Sequence, residues 1–292
     1  MYVGLDIGGT KFQVASANEK GEIIRRVRAE TPLQLKAGLD LLHEMIEQVS
    51  DKEKISSIGV AIGGPLDPCS GVVSPLHQPE WRNVPLKEIL ESAYHCPCRI
   101  EVDTDAAALA EGAFGLDTAT DKSAEISRLL YITLSTGMGG GFLVDGAIYR
   151  GFDRSHPEVA HQAILFHCDH PERILCECGN NDCLEALVSG NGIRRIYGKP
   201  ASELSETEWE QVAYNVGQGL RNLAVIYVPE RIMLGGGVAL GGGEALVNQV
   251  QEFLNSTCRL TPAPTVQLSR LGYDTALRGA IVLARKVSSV EN

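Results

Sequence analysis

The chain has 292 residues, of which 44% are hydrophobic and 22% charged, with 31 glycines and eight cysteines. That apolar content is ample for a core and excludes disorder as the main state; the length suits two domains or one large α/β unit. A formal net charge of −11 has the wrong sign for a generic nucleic-acid or anionic-membrane binder, so an anionic substrate must be held by local dipoles and metal.

Tyr2–Ile7 is an apolar run that reads as a strand, ending in Asp6 and followed by Gly8 and Gly9. A secretory leader would place a charged segment before a longer apolar one, so the cytoplasm is the expected compartment. Cysteines there are expected as thiols or metal ligands rather than disulfides. Phe12–Ala17 and Glu22–Arg28 read as the next strands, joined by the turn Asn18–Gly21. Pro32–Val49 carries Leu35, Leu39, Leu42, Ile46 and Val49 at helical spacing. Ile55–Ile62 is a buried strand closed by Gly63, Gly64 and Pro65. Leu86–Tyr94 reads as a short helix, Cys98–Val102 as a strand, and Thr104–Gly112 as an Ala-rich helix starting just after Asp103. A second cycle follows, with strands Leu130–Leu134, Gly141–Val144 and Ala147–Tyr149, then a helix over Cys183–Gly190 and a long one over Thr207–Ile226. Strand Arg231–Leu234, helix Glu244–Leu254, strand Thr265–Leu268 and helix Asp274–Val287 complete the pattern. Strand, glycine turn, strand therefore occurs twice, a weak internal repeat in an α/β chain. The polar stretch Leu116–Glu125 is the candidate domain boundary. Apolar runs are strand-sized, well short of the ~18 residues of a membrane span.

Three glycine loops follow apolar strands. The first is Asp6-Ile-Gly-Gly-Thr-Lys11: Gly8 and Gly9 let phosphate oxygens approach backbone N–H groups, Thr10 adds a hydroxyl, Lys11 a point charge and Asp6 a carboxylate for hydrated Mg²⁺. The second, Thr133 through Gly141, repeats that logic with Thr136, Gly137 and Gly139. It is neither a P-loop nor a dinucleotide fingerprint, because no Gly-Lys-Ser/Thr closes it and a strand follows. The third, Gly235-Gly236-Gly237, follows Leu234. Two facing hairpins can cradle a polyphosphate while the third lets a nucleotide base lie against bare backbone.

Cys176, Cys178 and Cys183 lie within eight residues of one another. Three thiolates with an imidazole make a closed tetrahedral zinc site, structural because no position is left open. His161 is the candidate fourth ligand, with His167, Cys168 and His170 as rivals; Cys69, Cys96, Cys98 and Cys258 show no partner spacing. Asp103, between a strand and a helix, is either a general base for a substrate hydroxyl or an N-cap. Asp105 is the rival base, or a complement to the helix dipole. Glu158 and His161, three residues apart, can hold sugar hydroxyls or lie on a solvated loop.

Together these motifs resemble the ROK family (repressors, uncharacterised reading frames and sugar kinases). Those carrying the likeness are Asp6–Lys11, Gly63–Asp67, Asp103 with Glu111, Ser135–Gly140, Glu158-x-x-His161, Cys176-x-Cys-Gly-x-x-x-Cys-x-Glu185 and Leu234–Val238. The resemblance implies an α/β fold of two ribonuclease H-like domains, of the actin and hexokinase type, with an interdomain cleft. One domain would be residues 1–117 completed by the last helix, 274–292, and the other 118–273. It implies Asp103 as catalytic base, sugar contacts at Gly64, Asp103, Glu158, His161 and Glu185, and zinc at His161, Cys176, Cys178 and Cys183. ATP and Mg²⁺ would be the other cofactors, and a homodimer the assembly. The sequence departs from the family at Val102 and Asp105, where Asn is usual, at Ala160 for Gly, and at Glu177 for Gly. The expected activity is ATP-dependent phosphorylation of a hexose at a primary hydroxyl, glucokinase-like. Fructokinase and N-acylhexosamine kinase are the alternatives within the family; a non-catalytic binder or sugar sensor is the alternative of another class. A repressor would need a helix-turn-helix ahead of Asp6, where there is no room for one.

Overall fold

The computed structural model describes residues 1–115 and 126–288, so the boundary stretch Leu116–Glu125 lies outside the described residues. The chain divides into two compact units, Met1–Phe114 with Asp274–Asn292, and Gly115–Tyr273.

In the first unit β1 (Tyr2–Ile7), β2 (Lys11–Ala17) and β3 (Ile23–Glu30) form an antiparallel meander. Helix α1 (Leu35–Ser50) leads to β4 (Ser57–Ile62). A small sheet of β5 (Leu66–Asp67), β6 (Val72–Val73) and β7 (Val84–Pro85) precedes α2 (Leu86–Tyr94), β8 (Cys98–Val102) and α3 (Asp103–Ala110). The main sheet runs β3-β2-β1-β4-β8, with β1, β4 and β8 parallel. Every residue of β4 is buried, as a parallel strand covered on both faces demands. On one face α1 seats Leu42, Met45, Ile46 and Val49 in the core, where Phe12 meets Trp81 edge to face at 6.1 Å. The returning helix, α8 (Thr275–Ser288), packs on β1, β4 and α3. It lies so close that a Cβ at Gly59 would overlap the Ala280 carbonyl, and one at Gly279 the Ala106 carbonyl.

The second unit repeats this plan. A meander of β9 (Arg128–Leu134), β10 (Met138–Val144) and β11 (Ala147–Ile148) is followed by α4 (Leu184–Val188), α5 (Gly190–Tyr197) and α6 (Glu206–Tyr227). Then come β12 (Arg231–Gly235), α7 (Gly237–Thr257) and β13 (Thr265–Leu268). Strand order is β11-β10-β9-β12-β13, with β9, β12 and β13 parallel. The repeat that is faint in letters is complete in topology. Ser205 and Glu208 close a capping box at the start of α6. No helix among the described residues is long and apolar enough to cross a membrane.

Several boundaries differ from expectation, mostly at glycine. β10 begins at Met138, not Gly141, so Gly139–Gly141 pair with β9 instead of forming the turn. α7 begins at Gly237, not Glu244, and breaks helical geometry at Gly243 with φ 59°. α5 has no counterpart in the sequence reading: Gly190, Asn191 and Gly192 look like a break, but the Ser189 hydroxyl accepts from the Gly192 N–H and starts a helix. The Ala-rich helix ends at Ala110 and continues as a π-turn over Glu111–Gly115.

Candidate active site

Register places the loops of the first unit. Ile7 pairs with Ile62, and Ile62 with Val102, so Gly8, Gly63 and Asp103 leave the sheet side by side at the carboxyl ends of three parallel strands. Open α/β sheets bind ligands at that edge. Gly64 is part-buried, and a Cβ there would meet open space.

The first hairpin is held through its carbonyls. Gly8 O accepts from the Thr31 hydroxyl at 2.7 Å and from Gln78 Nε2 at 3.2 Å, and Thr10 O accepts from the Thr31 N–H at 3.1 Å. Gly9 and Thr10 are exposed, and among the described residues neither N–H donates to a protein acceptor. They are therefore available to an anion.

Asp6 accepts from Gln13 Nε2 at 2.9 Å. Gln13 is buried, and its oxygen accepts from Arg26, whose fork grips Asp274 at 2.7 and 2.8 Å. Burial pushes Asp6 up to about 6, against the pull of Gln13; the charge of Asp103 adds to the rise. Two carboxylates thus feel each other at the loop edge, a setting that favours a cation. Neither Gln13 nor Arg26 was singled out by motif; the available signal was a Gln between Phe12 and Val14 in a mostly apolar strand.

Asp103 is the first residue of α3, and Val102 occupies the cap position without a side-chain cap bond. The N-cap reading of Asp103 is therefore not what the structure holds; its Oδ1 accepts from the adjacent Thr104 N–H at 2.8 Å. Asp105, the rival base, is completely buried, whereas Asp103 is part-exposed.

In the second unit Thr133 pairs with Gly235, which brings the second and third glycine loops together. Gly236 has φ 86°, and a Cβ there would press on the Leu134 carbonyl and on Thr133 Oγ1. Gly237 opens α7, whose first N–H groups and dipole face outward from that edge. The turn of the second loop is Ser135–Gly137; Thr136 is exposed, and the Thr136 and Gly137 N–H groups have no protein acceptor among the described residues. Glu185 turns its carboxylate to this hairpin, accepting from the Met138 N–H at 2.9 Å.

His161, Cys176, Cys178 and Cys183 bring their ligand atoms within 4.8 Å of one another. Cys176 Sγ lies 3.4 Å from His161 Nδ1, and Cys178 Sγ 3.5 Å from Cys183 Sγ. Three soft thiols and one imidazole at this spacing fit zinc. The other ring nitrogen, Nε2, is 4.0 Å from Glu158, whose side chain is largely exposed. Burial raises the Cys176 and Cys183 thiols, while the Asn180 N–H lowers Cys178. Metal binding must therefore release protons. The rival ligands lie outside this group: His167 stacks on Tyr214 at 3.8 Å, His170 lies beside Glu172, and Cys168 packs against the core of the unit. A shallow hollow lined by Arg128, Phe142, Val144, Tyr149, Ile226 and Tyr227 lies at the opposite end of β9 from this hairpin.

Residues 2–287 match the model of the ROK family. The chain is 30% identical to a fructokinase from Zymomonas mobilis, over 97% of this chain and 96% of that one. A ROK hexokinase from Thermus thermophilus superposes with a TM-score of 0.82 at 32% identity, covering 100% and 99% of the two chains. A ROK family glucokinase from Streptomyces griseus, solved in complex with glucose and AMPPNP, gives 0.78 at 26% identity, covering 98% and 99%.

Proposed function

This chain belongs to the ROK family and is an ATP-dependent sugar kinase, and we propose that it transfers the γ-phosphoryl group of ATP to a primary hydroxyl of a hexose, giving the 6-phosphate. The observation carrying this reading is the part-exposed Asp103 at the same sheet edge as the Asp6–Lys11 hairpin, close enough to shift the titration of Asp6.

Asp103 orients the sugar hydroxyl and takes its proton as that oxygen attacks phosphorus. The new O–P bond forms as the bridge to the β-phosphate breaks, and ADP leaves. In the first unit the Gly9 and Thr10 N–H groups and Lys11 hold the transferring group. In the second, the Thr136 and Gly137 N–H groups hold the nucleotide phosphates, beside Thr133 and Gly139. Gly236 and Gly237 leave bare backbone for the base, whereas Gly235, expected to share that role, is buried at the end of β12 against Tyr131. Mg²⁺, when bound with its water shell near Asp6, supplies charge neutralisation on the phosphates. Glu158, His161 Nε2, Gly64 and Glu185 are assigned to the sugar, and zinc to His161 with the three thiols. The homodimer and the cytoplasmic setting belong to the same reading.

The fructokinase likeness and the glucokinase likeness both support a hexose acceptor, with an N-acylhexosamine as the third candidate. A sugar panel in a coupled ADP-release assay tests this. The expected result is ADP release that depends on one or more hexoses and yields the 6-phosphate. ADP release that no sugar stimulates would overturn the proposal in favour of a non-catalytic binder.

A further inference from the structure

The turn of the second glycine hairpin has three peptide planes, and each is held. Ser135 O accepts from the Gly190 N–H at 2.7 Å, and Thr136 O from the Asn191 N–H at 3.0 Å. In the third plane Gly137 O accepts from the Ser135 N–H at 2.9 Å, and the Met138 N–H donates to Glu185 Oε2 at 2.9 Å. A trans peptide points its C=O and N–H in opposite directions. Tying down the Ser135 and Thr136 carbonyls therefore aims the Thr136 and Gly137 N–H groups away from α5, where no protein acceptor meets them among the described residues.

All the outside partners come from one short stretch, residues 185–191, and that stretch leaves directly from the cysteine cluster. Cys183 is the cap residue of α4, two positions before Glu185. Asn191, whose backbone holds Thr136, reaches back with Nδ2 to Glu177 Oε1 at 3.2 Å, and Glu177 lies between Cys176 and Cys178. The Cys176 thiol also faces the second oxygen of Glu185, at 3.5 Å; ligation removes that proton but leaves the Met138 bond on Oε2. α4 is anchored by buried Leu184, Leu187 and Val188, whereas residues 177–182 are exposed, with turn bonds such as Gly179 N–H to Cys176 O to hold them.

We propose that the His161–Cys176–Cys178–Cys183 cluster buttresses the second glycine hairpin, with Glu185 as the positioning residue that transmits its geometry to the N–H groups of that turn. The consequence for nucleotide affinity rests on the phosphate-binding role proposed above for the hairpin; the tether itself does not.

The test is hydrogen–deuterium exchange on the full zinc-loaded chain, read at peptides covering 134–141, alongside nucleotide and sugar affinities. Glu185→Ala, with zinc content unchanged, is expected to speed exchange of the bonded hairpin amides, Ser135 and Met138, about tenfold and to weaken nucleotide binding about tenfold, with Glu185→Gln in between. Chelation of the wild-type protein is expected to act in the same direction and to add little in the Glu185→Ala background, because both act on one tether. If Glu185→Ala does not fold, Glu185→Gln and chelation of the wild-type protein carry the test, and Asn191→Ala, which keeps the backbone bond to Thr136, reads the side-chain link to Glu177 alone. Hairpin exchange that stays at wild-type rates in the variants and after chelation, with α6 still protected, would overturn the proposal. Weaker sugar binding with an unmoved hairpin would likewise overturn it and leave Glu185 as a sugar contact alone. Faster hairpin exchange with unchanged nucleotide affinity would uphold the tether and count instead against the phosphate-binding role.

Discussion

The two units share strand order and strand direction, yet they stabilise equivalent hairpins by different means. In the first unit side chains do most of the work: Thr31 and Gln78 clamp the Gly8 carbonyl and Gln13 braces Asp6, with the Thr31 N–H adding a backbone bond to Thr10. In the second the clamp is mostly backbone, from Gly190 and Asn191 at the start of α5, with Glu185 as the single side chain among the described residues. The parallel strands decide where a loop leaves the sheet, and the segments between strands decide what the loop can do there. A carboxylate pair marks one unit and a thiol cluster the other.

Asp103→Asn separates the two most sharply. Removal of a general base should lower turnover by about 10²–10⁴-fold, while nucleotide and sugar affinities, measured by calorimetry, stay close to wild type. Retention of full turnover would take Asp103 out of the base role.

Cys178→Ser should act on the other unit. Loss of a direct ligand should weaken zinc by more than the about 100-fold that loss of an outer partner produces. At saturating metal, about 100-fold corresponds to about 2.7 kcal/mol of stability. Metal analysis and thermal melting check both numbers, and exchange rates at Gly8–Lys11 should remain unchanged.

Gln13→Leu should have the smallest effect, about 1–3 kcal/mol, because it leaves Asp6 and Arg26 each short of a buried partner. It also removes the bond that lowers the Asp6 pKa. Asp6 titrates near 6 in the native chain against 3.8 as a free side chain. A raised carboxylate contributes stability that is fully present below the unfolded value and is lost as pH rises through the native one. Wild-type stability should therefore decline from this group between about pH 4 and pH 6. Activity that needs Asp6 ionised should instead follow the native titration, with a rise centred near pH 6, and Gln13→Leu should move that rise to higher pH. An unmoved acid limb in the pH–rate profile would separate Asp6 from the chemistry.

Elements with a clear local pattern were legible without coordinates. Leu86–Tyr94 and Cys98–Val102 have their expected ends, and Thr207–Ile226 differs from α6 by one residue at each end. Three cysteines at close spacing sufficed to name a thiol cluster, though they left His161, His167, Cys168 and His170 open. The structure brings His161 to the three thiols and stacks His167 on Tyr214. Glycine was the weakest sign, since it reads as a turn whether it sits in β10, opens α7 or starts α5.

What the amino-acid order determined by itself is the set of local events: apolar periodicity that makes strands and helices, glycines that bare the backbone, and thiols dense enough to share a metal. Only the tertiary structure decided which of these meet. Arg26 finds Asp274 248 positions away, and Glu185 finds the Met138 N–H across 47. The physical reason is range: periodicity is set by neighbours a few bonds away, whereas a hydrogen-bond partner is chosen by the packing of whole elements that no short window contains.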